Sequence, residues 1–263
     1  TVTDSSGNVS TPITTNVTID TVAPGTSPAT PASVSVPEAT NGISSSEASD
    51  GVEVLVTLPS DAVAGDVITV SIDGGTPVTH TVTAAEVAAI STPITVTLPQ
   101  SAISAAGEGA ATITTTVTDS SGNVSTPITT NVTIDTTPPS ATVNITAIST
   151  DSGTAGDFIT NDNNGLTISA TLSTALVSGE KLMYSKDNGS TWIDITSSVT
   201  GTAVSYVDST LTSSTTIQMR VLDAASNAGV AKSQAIIIDR TGPATTVNIT
   251  AISTDSGIVG DFI

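Results

Sequence analysis

Oxygen ligands are the chemistry this sequence offers in quantity. It carries 24 Asp and Glu against 5 Lys and Arg, a formal net charge of -19 in 263 residues, with one His and no Cys. Without thiols there are no disulfides, thiolate metal sites or cysteine nucleophiles. A single histidine supplies no set of nitrogen ligands for zinc. The carboxylates recur in three settings. The tracts IDTVAP (19–24), IDTTPP (134–139) and IDRTGP (238–243) set Asp20, Asp135 and Asp239 just ahead of proline. The loops TDSSGN and LDAASN place Asp119 four residues before Asn123, and Asp223 four before Asn227. Longer polar stretches hold Glu38, Glu47 and Asp50 in one place and Asp151, Asp157 and Asp162 in another. Calcium takes about 6–8 oxygens from carboxylates, amides and backbone carbonyls, so three or four anionic groups in one place suit it. Magnesium prefers to keep its waters. The alternative is plain turn chemistry, because Asp and Asn before Gly form turns through side-chain hydrogen bonds and tolerate left-handed backbone.

Repetition tells which elements position these groups. Residues 1–21, TVTDSSGNVSTPITTNVTIDT, recur unchanged at 116–136, and SATVNITAISTDSGTAGDFI (140–159) is matched by ATTVNITAISTDSGIVGDFI (244–263). Charged residues make up only 11% and aromatics 2%, and the abundant Thr, Ser, Val and Ile favour strands. Turn signals break each repeat into short strands, as in a sandwich. The first repeat reads as strands at 32–36, 52–58, 67–72, 77–82, 93–98, 110–118 and 126–134, with a helical turn at 84–89. The second reads as 141–148, 166–172, 181–185, 191–195, 203–208, 215–222 and 230–238, with a hairpin at Asp187-Asn188-Gly189. The expected fold is all-β: tandem immunoglobulin-like β-sandwiches of seven strands each, joined by short linkers that proline stiffens. The expected boundaries are 1–20 (end of a preceding repeat), 21–136, 137–240 and 241–263 (first strand of a following repeat). Both ends fall in mid-pattern, as in a piece of a longer chain.

In a seven-strand sandwich, loops after odd strands lie at the exit pole and loops after even strands at the entry pole. The acids then gather at three joints. Asp20 meets Asp119 and Asn123 at the first. Glu38, Glu47, Asp50 and Asp135 meet Asp223 and Asn227 at the second. Asp151, Asp157 and Asp162 join Asp239 at the third. Asp61, Asp66, Asp73, Asp187, Asp194 and Glu180 read as solvated loop residues.

The TDxxGN loop, the ID-T-x-x-P linker and the TDSG…DFITNDN segment together resemble bacterial immunoglobulin-like repeats of giant surface adhesins secreted by a type I pathway, in the RTX/Bap-like class. The segment NGISSSEASDG makes the first repeat look like a different subtype. The resemblance implies an extracellular stalk at the bacterial cell surface, stiffened by Ca2+ at its joints, that supports adhesion or biofilm formation. It implies neighbouring repeats of the same chain as partners, and an adhesion target held by other domains.

Enzyme function finds no support. No nucleophile-and-base set, GxGxxG, GxxxxGK[ST] or GGxGxD run is present. His80, in PVTHTVT, reads as a strand residue on the less apolar side. Negative charge excludes nucleic acid and anionic membranes as partners, and no run of 18 apolar residues suits membrane insertion. The rival function is direct binding: TITTTVT (112–118) and TTNVT (129–133) put hydroxyls on strand faces where carbohydrate or another surface ligand docks. Threonine is also an ordinary solvent-facing strand residue. Trp192 and Tyr184 flank the Asp187 turn as a small aromatic platform or as core, Met183 and Met219 read as core fillers, and Phe158 with its equivalent Phe262 as plugs beneath an acidic loop. Few lysines, Lys181, Lys186 and Lys232, argue against isopeptide stiffening.

Overall fold

A computed structural model of the chain describes residues 1–26, 32–250, 254 and 257–259. It divides into two compact units: 1–140 with 178–180 and 222–229, and 141–177 with 181–221 and 230–263. Phe262 lies outside the described residues, as does most of 251–263.

The first unit holds β1 (Ser33–Ser35), α1 (Ser45–Asp50), β2 (Val52–Thr57), β3 (Val67–Ile72), β4 (Val78–Thr81), α2 (Ala84–Ala88), β5 (Ile94–Leu98), α3 (Gln100–Ala106), β6 (Gly109–Thr118) and β7 (Ile128–Ile134). Its strands form two sheets, β1-β2-β5 and β4-β3-β6-β7. Period-two patterning explains them: Val52, Val54 and Val56 turn inward along β2 with Glu53 outward, and Ala111, Ile113, Thr115 and Val117 turn inward along β6. The helices fill the edges. Ser44 caps α1, its hydroxyl accepting from Glu47 N while its own N–H donates to Glu47 Oε2 at 2.8 Å. That reciprocal pair is a capping box.

The second unit holds β8 (Val143–Ile148), β9 (Ile159–Thr160), β10 (Leu166–Leu172), β11 (Lys181–Ser185), β12 (Ile193–Asp194), β13 (Val199–Thr200), β14 (Ala203–Asp208), β15 (Thr215–Leu222) and β16 (Lys232–Ile238). Its sheets run β13-β14-β10-β8 and β12-β11-β15-β16-β9. Leu166, Ile168, Leu182, Ile217 and Met219 are fully enclosed, and Phe158 is buried. Tyr184 is core: its hydroxyl donates to buried Asp208 at 3.0 Å, and burial with that nearby carboxylate pushes its ionisation far up.

Both units share one device. The chain following the first strand crosses to the opposite sheet and runs parallel to the closing strand: Ile43 bridges Ile134, and β9 pairs with β16. The pairs β1–β2, β2–β5, β3–β4, β3–β6, β6–β7, β8–β10, β10–β14, β13–β14, β11–β12 and β15–β16 are antiparallel. The fold class is the expected all-β sandwich. The second unit adds the two-residue strands β9 and β13, and the first adds α1 and α3. Two residues of the sequence reading are corrected. Asp66 is not solvated but 1% exposed. His80 pairs with Ile68 and so faces the same side as that core residue, half-buried, with its Nε2 2.9 Å from Glu86 Oε1.

Candidate functional site

The closing strands β7 and β16 end just before Asp135 and Asp239. In the first unit the crossing segment fixes the end of β7: Ile43 N donates to Thr133 O at 2.8 Å and Asp135 N to Ile43 O at 3.0 Å. In the second unit Ile237 N donates to Phe158 O at 3.0 Å and Asp239 N to Thr160 O at 2.8 Å. Loops following the first strands therefore lie beside the closing aspartates, as the strand-parity argument expects.

Within the first unit the Asp-x-x-x-Asn loop is one clasp made three times. At Asp119, Oδ1 accepts from Ser121 N at 2.9 Å and Asn123 N at 2.8 Å, and Oδ2 accepts from Asn123 Nδ2 at 2.8 Å. Asp4 and Asn8 make the same set at 2.9 Å each. Asp223 and Asn227 repeat it through Asn227 N at 2.8 Å and Nδ2 at 2.9 Å. The asparagine side-chain amide is the main influence holding the carboxyls of Asp4 and Asp119 below the ordinary aspartate value, with backbone N–H groups adding to it. Two clasps also grip the main chain of a linker aspartate, Asp20 outside any strand and Asp135 just after β7. Asn123 Nδ2 donates to Asp20 O at 3.3 Å, and Asn227 Nδ2 to Asp135 O at 2.7 Å. Asn227 is 3% exposed and its Oδ1 accepts Ser45 N at 2.7 Å. Beside it Asn41 Nδ2 donates to Ala224 O at 3.1 Å.

Several acids already hold N–H donors. Glu47 caps α1, and Glu38 Oε2 accepts Glu53 N at 2.9 Å. Asp20 Oδ1 accepts Val22 N at 3.0 Å, Asp135 Oδ1 accepts Thr137 N at 3.4 Å, and Asp239 Oδ1 accepts Thr241 N at 2.8 Å. Asp50 lies exposed at the end of α1. In the acidic loop of the second unit, Asp157 Oδ1 accepts Ile159 N and Asp162 Oδ1 accepts Asn164 N, both at 2.9 Å. Asp151 differs. Its Oδ2 accepts Gly156 N at 2.7 Å, whereas Oδ1 is buried with no hydrogen-bond partner among the described residues. The loop is bent by left-handed backbone at Thr150 and Phe158. A bulky residue held there is strained. Among the described residues no three His, Cys, Asp or Glu side chains form a group able to hold a metal ion as they stand.

The sequence reading missed buried Asp66 and the capping role of Glu47. The second carried a signal, since Ser44-x-x-Glu47 is a capping-box spacing.

No known protein family and no curated protein matches the chain. Among solved structures it is similar to a Ca2+-stabilized adhesin of an Antarctic bacterium, described as binding ice, at 24% identity and TM-score 0.45, over 90% of this chain and 55% of that one. It is also similar to a 1.5-MDa bacterial ice-binding adhesin, at 18% identity and TM-score 0.38, over 79% and 64%. Fibronectin(III)-like modules of Clostridium thermocellum CbhA match at 16% identity and TM-score 0.45, over 82% and 100%. The chain thus spans about half and under two thirds of the two adhesin chains. These likenesses concern architecture alone.

Proposed function

We propose that this chain is a length of stalk from a secreted bacterial surface adhesin, built of sandwich repeats at 21–136 and 137–240 between parts of two others, with calcium stiffening the joints. The observation that carries the spacer reading is the thrice-made clasp, which twice anchors to the carbonyl of a linker aspartate, Asp20 in the IDTVAP tract and Asp135 just after β7. A part repeated at that topological position serves connection, and the two identical segments of 21 residues concentrate sequence identity there. Calcium is favoured by Asp151, whose buried unpartnered oxygen stands in the loop that pairs with the strand leading to Asp239. An unpaired buried carboxylate oxygen is costly, and a cation relieves it. Relief of repulsion in a chain of net charge -19 acts in the same sense.

Small-angle X-ray scattering in EDTA and then in a few millimolar calcium tests this. The expected result is a longer, more rod-like particle with calcium and little change with magnesium. Superimposable profiles would show that the acids are solvated turns and cap groups, and the calcium reading would fall.

A further inference from the structure

All five Lys and Arg of the chain lie between 181 and 240. Two are engaged: Lys181 Nζ sits 3.6 Å from Asp194, and Lys186 Nζ donates to Thr210 Oγ1 at 2.6 Å. Arg220 is different. In a chain with 24 carboxylates, its side chain has no acceptor among the described residues, and its Nε is buried. Its guanidinium carbon instead lies 4.0 Å from the centroid of the Trp192 ring. A guanidinium stacked on an aromatic face keeps the N–H donors in its own plane for a planar oxyanion, which it grips with two parallel bonds.

The surroundings are built rather than incidental. Met219 and Val221 point into the core, so alternation puts Gln218 and Arg220 together on the outer face of β15. The turn carrying Trp192 is tied by Thr191 N and Oγ1 donating to Asp187 at 2.8 and 2.6 Å, and by Trp192 Nε1 donating to Gly189 O at 3.0 Å. The two Thr191 bonds, with that of the Ser185 hydroxyl, hold the Asp187 carboxyl down to about 2. Gln218 Nε2 donates to Asn188 Oδ1 at 3.0 Å. Gln218 Oε1 and Asn188 Nδ2 are then left as an acceptor and a donor beside the stacked pair.

We infer that Arg220, Trp192, Gln218 and Asn188 form a recognition site for a carboxylate-bearing sugar such as a uronic acid. Arg220, backed by the indole, takes the carboxylate through its terminal N–H groups, and the two amides meet ring hydroxyls. This site is separate from the threonine faces of the first unit and from the closing-strand acids.

Trp192 is the single tryptophan, so fluorescence excited beyond the absorption of the two tyrosines reports on this site alone. The whole chain is titrated with digalacturonate, with the neutral galactose disaccharide and with acetate. A saturable change with digalacturonate only is expected, and Arg220→Lys weakens it roughly tenfold or more, because one point charge replaces a bidentate fork. The inference is overturned by no saturable change, by an equal response to neutral sugar or acetate, or by an unaltered Arg220→Lys curve with native circular dichroism. If Arg220→Lys unfolds, Asn188→Ala at the exposed turn decides: weaker binding sustains the site and unchanged binding removes it.

Discussion

Replacing Asn227 by alanine tests whether the clasp is a structural fastening. The side chain makes three bonds: Nδ2 to Asp135 O and to Asp223 Oδ2, and Oδ1 from Ser45 N. Asn227 itself is 3% exposed, and alanine leaves Ser45 N–H and Asp135 C=O, both in part-buried bonds, without these partners. An unsatisfied buried group costs about 1–3 kcal/mol, and the Asp223 carboxylate loses one donor but keeps Asn227 N. The expected loss is roughly 2–4 kcal/mol. Asn123 is the internal control, with the same clasp but an outer bond of 3.3 Å and far more water around it; Asn123→Ala should cost about 1 kcal/mol or less. Urea unfolding followed by far-ultraviolet circular dichroism measures both, provided the slope m is unchanged. Equal losses for the two variants would refute the argument, because it makes burial of the orphaned partners, not the clasp itself, the source of the difference.

Two further outcomes follow from burial and backbone. Burial raises the Asp66 carboxyl, with the negative charges of Asp119 and Asp61 adding to it; a folded-state value above the unfolded one means the folded chain binds more protons, so stability falls as pH rises from the ordinary aspartate range through the raised value. Asp66→Asn should therefore raise the urea midpoint at pH 7, and the gain should shrink as pH falls toward 4; an equal gain at both would sink the idea. Gly165 has φ of +93°, and a Cβ there would stand 2.5 Å from Ser209 Cα, whereas Gly156 (φ +88°) has open space. Gly156→Ala should cost roughly 1–2 kcal/mol from left-handed backbone alone, Gly165→Ala clearly more, with similar losses by thermal unfolding contradicting the packing.

The long strands were legible because patterning and turns agree over five or more residues. Asp187-Asn188-Gly189 sits in a turn, and β2, β6, β10 and β15 alternate as the sequence does. β9 and β13 were not, since two residues carry no period and Ile159 and Thr160 are strand only because β16 pairs with them. α3 was hidden for another reason: Gln100–Ala106 is short, and its Ile103 points into the core where a strand residue would also point. At the site, topology placed Asp135 and Asp239 beside the first loops. Spacing could not reveal that Asn227 Oδ1 faces Ser45, or that Asp151 keeps one oxygen unpaired. Those depend on side-chain direction, which sequence position does not set.

The parallel pairing of the crossing segment with the closing strand has a mechanical consequence. Tension on a sandwich enters near its first strand and leaves through its last. Parallel neighbours pulled from opposite ends slide lengthwise, so the bonds Ile43 N to Thr133 O and Asp135 N to Ile43 O are loaded together rather than peeled one by one. Ile237 N to Phe158 O and Asp239 N to Thr160 O do the same in the second unit. Each unit thus carries its own shear latch, set across the line of pull.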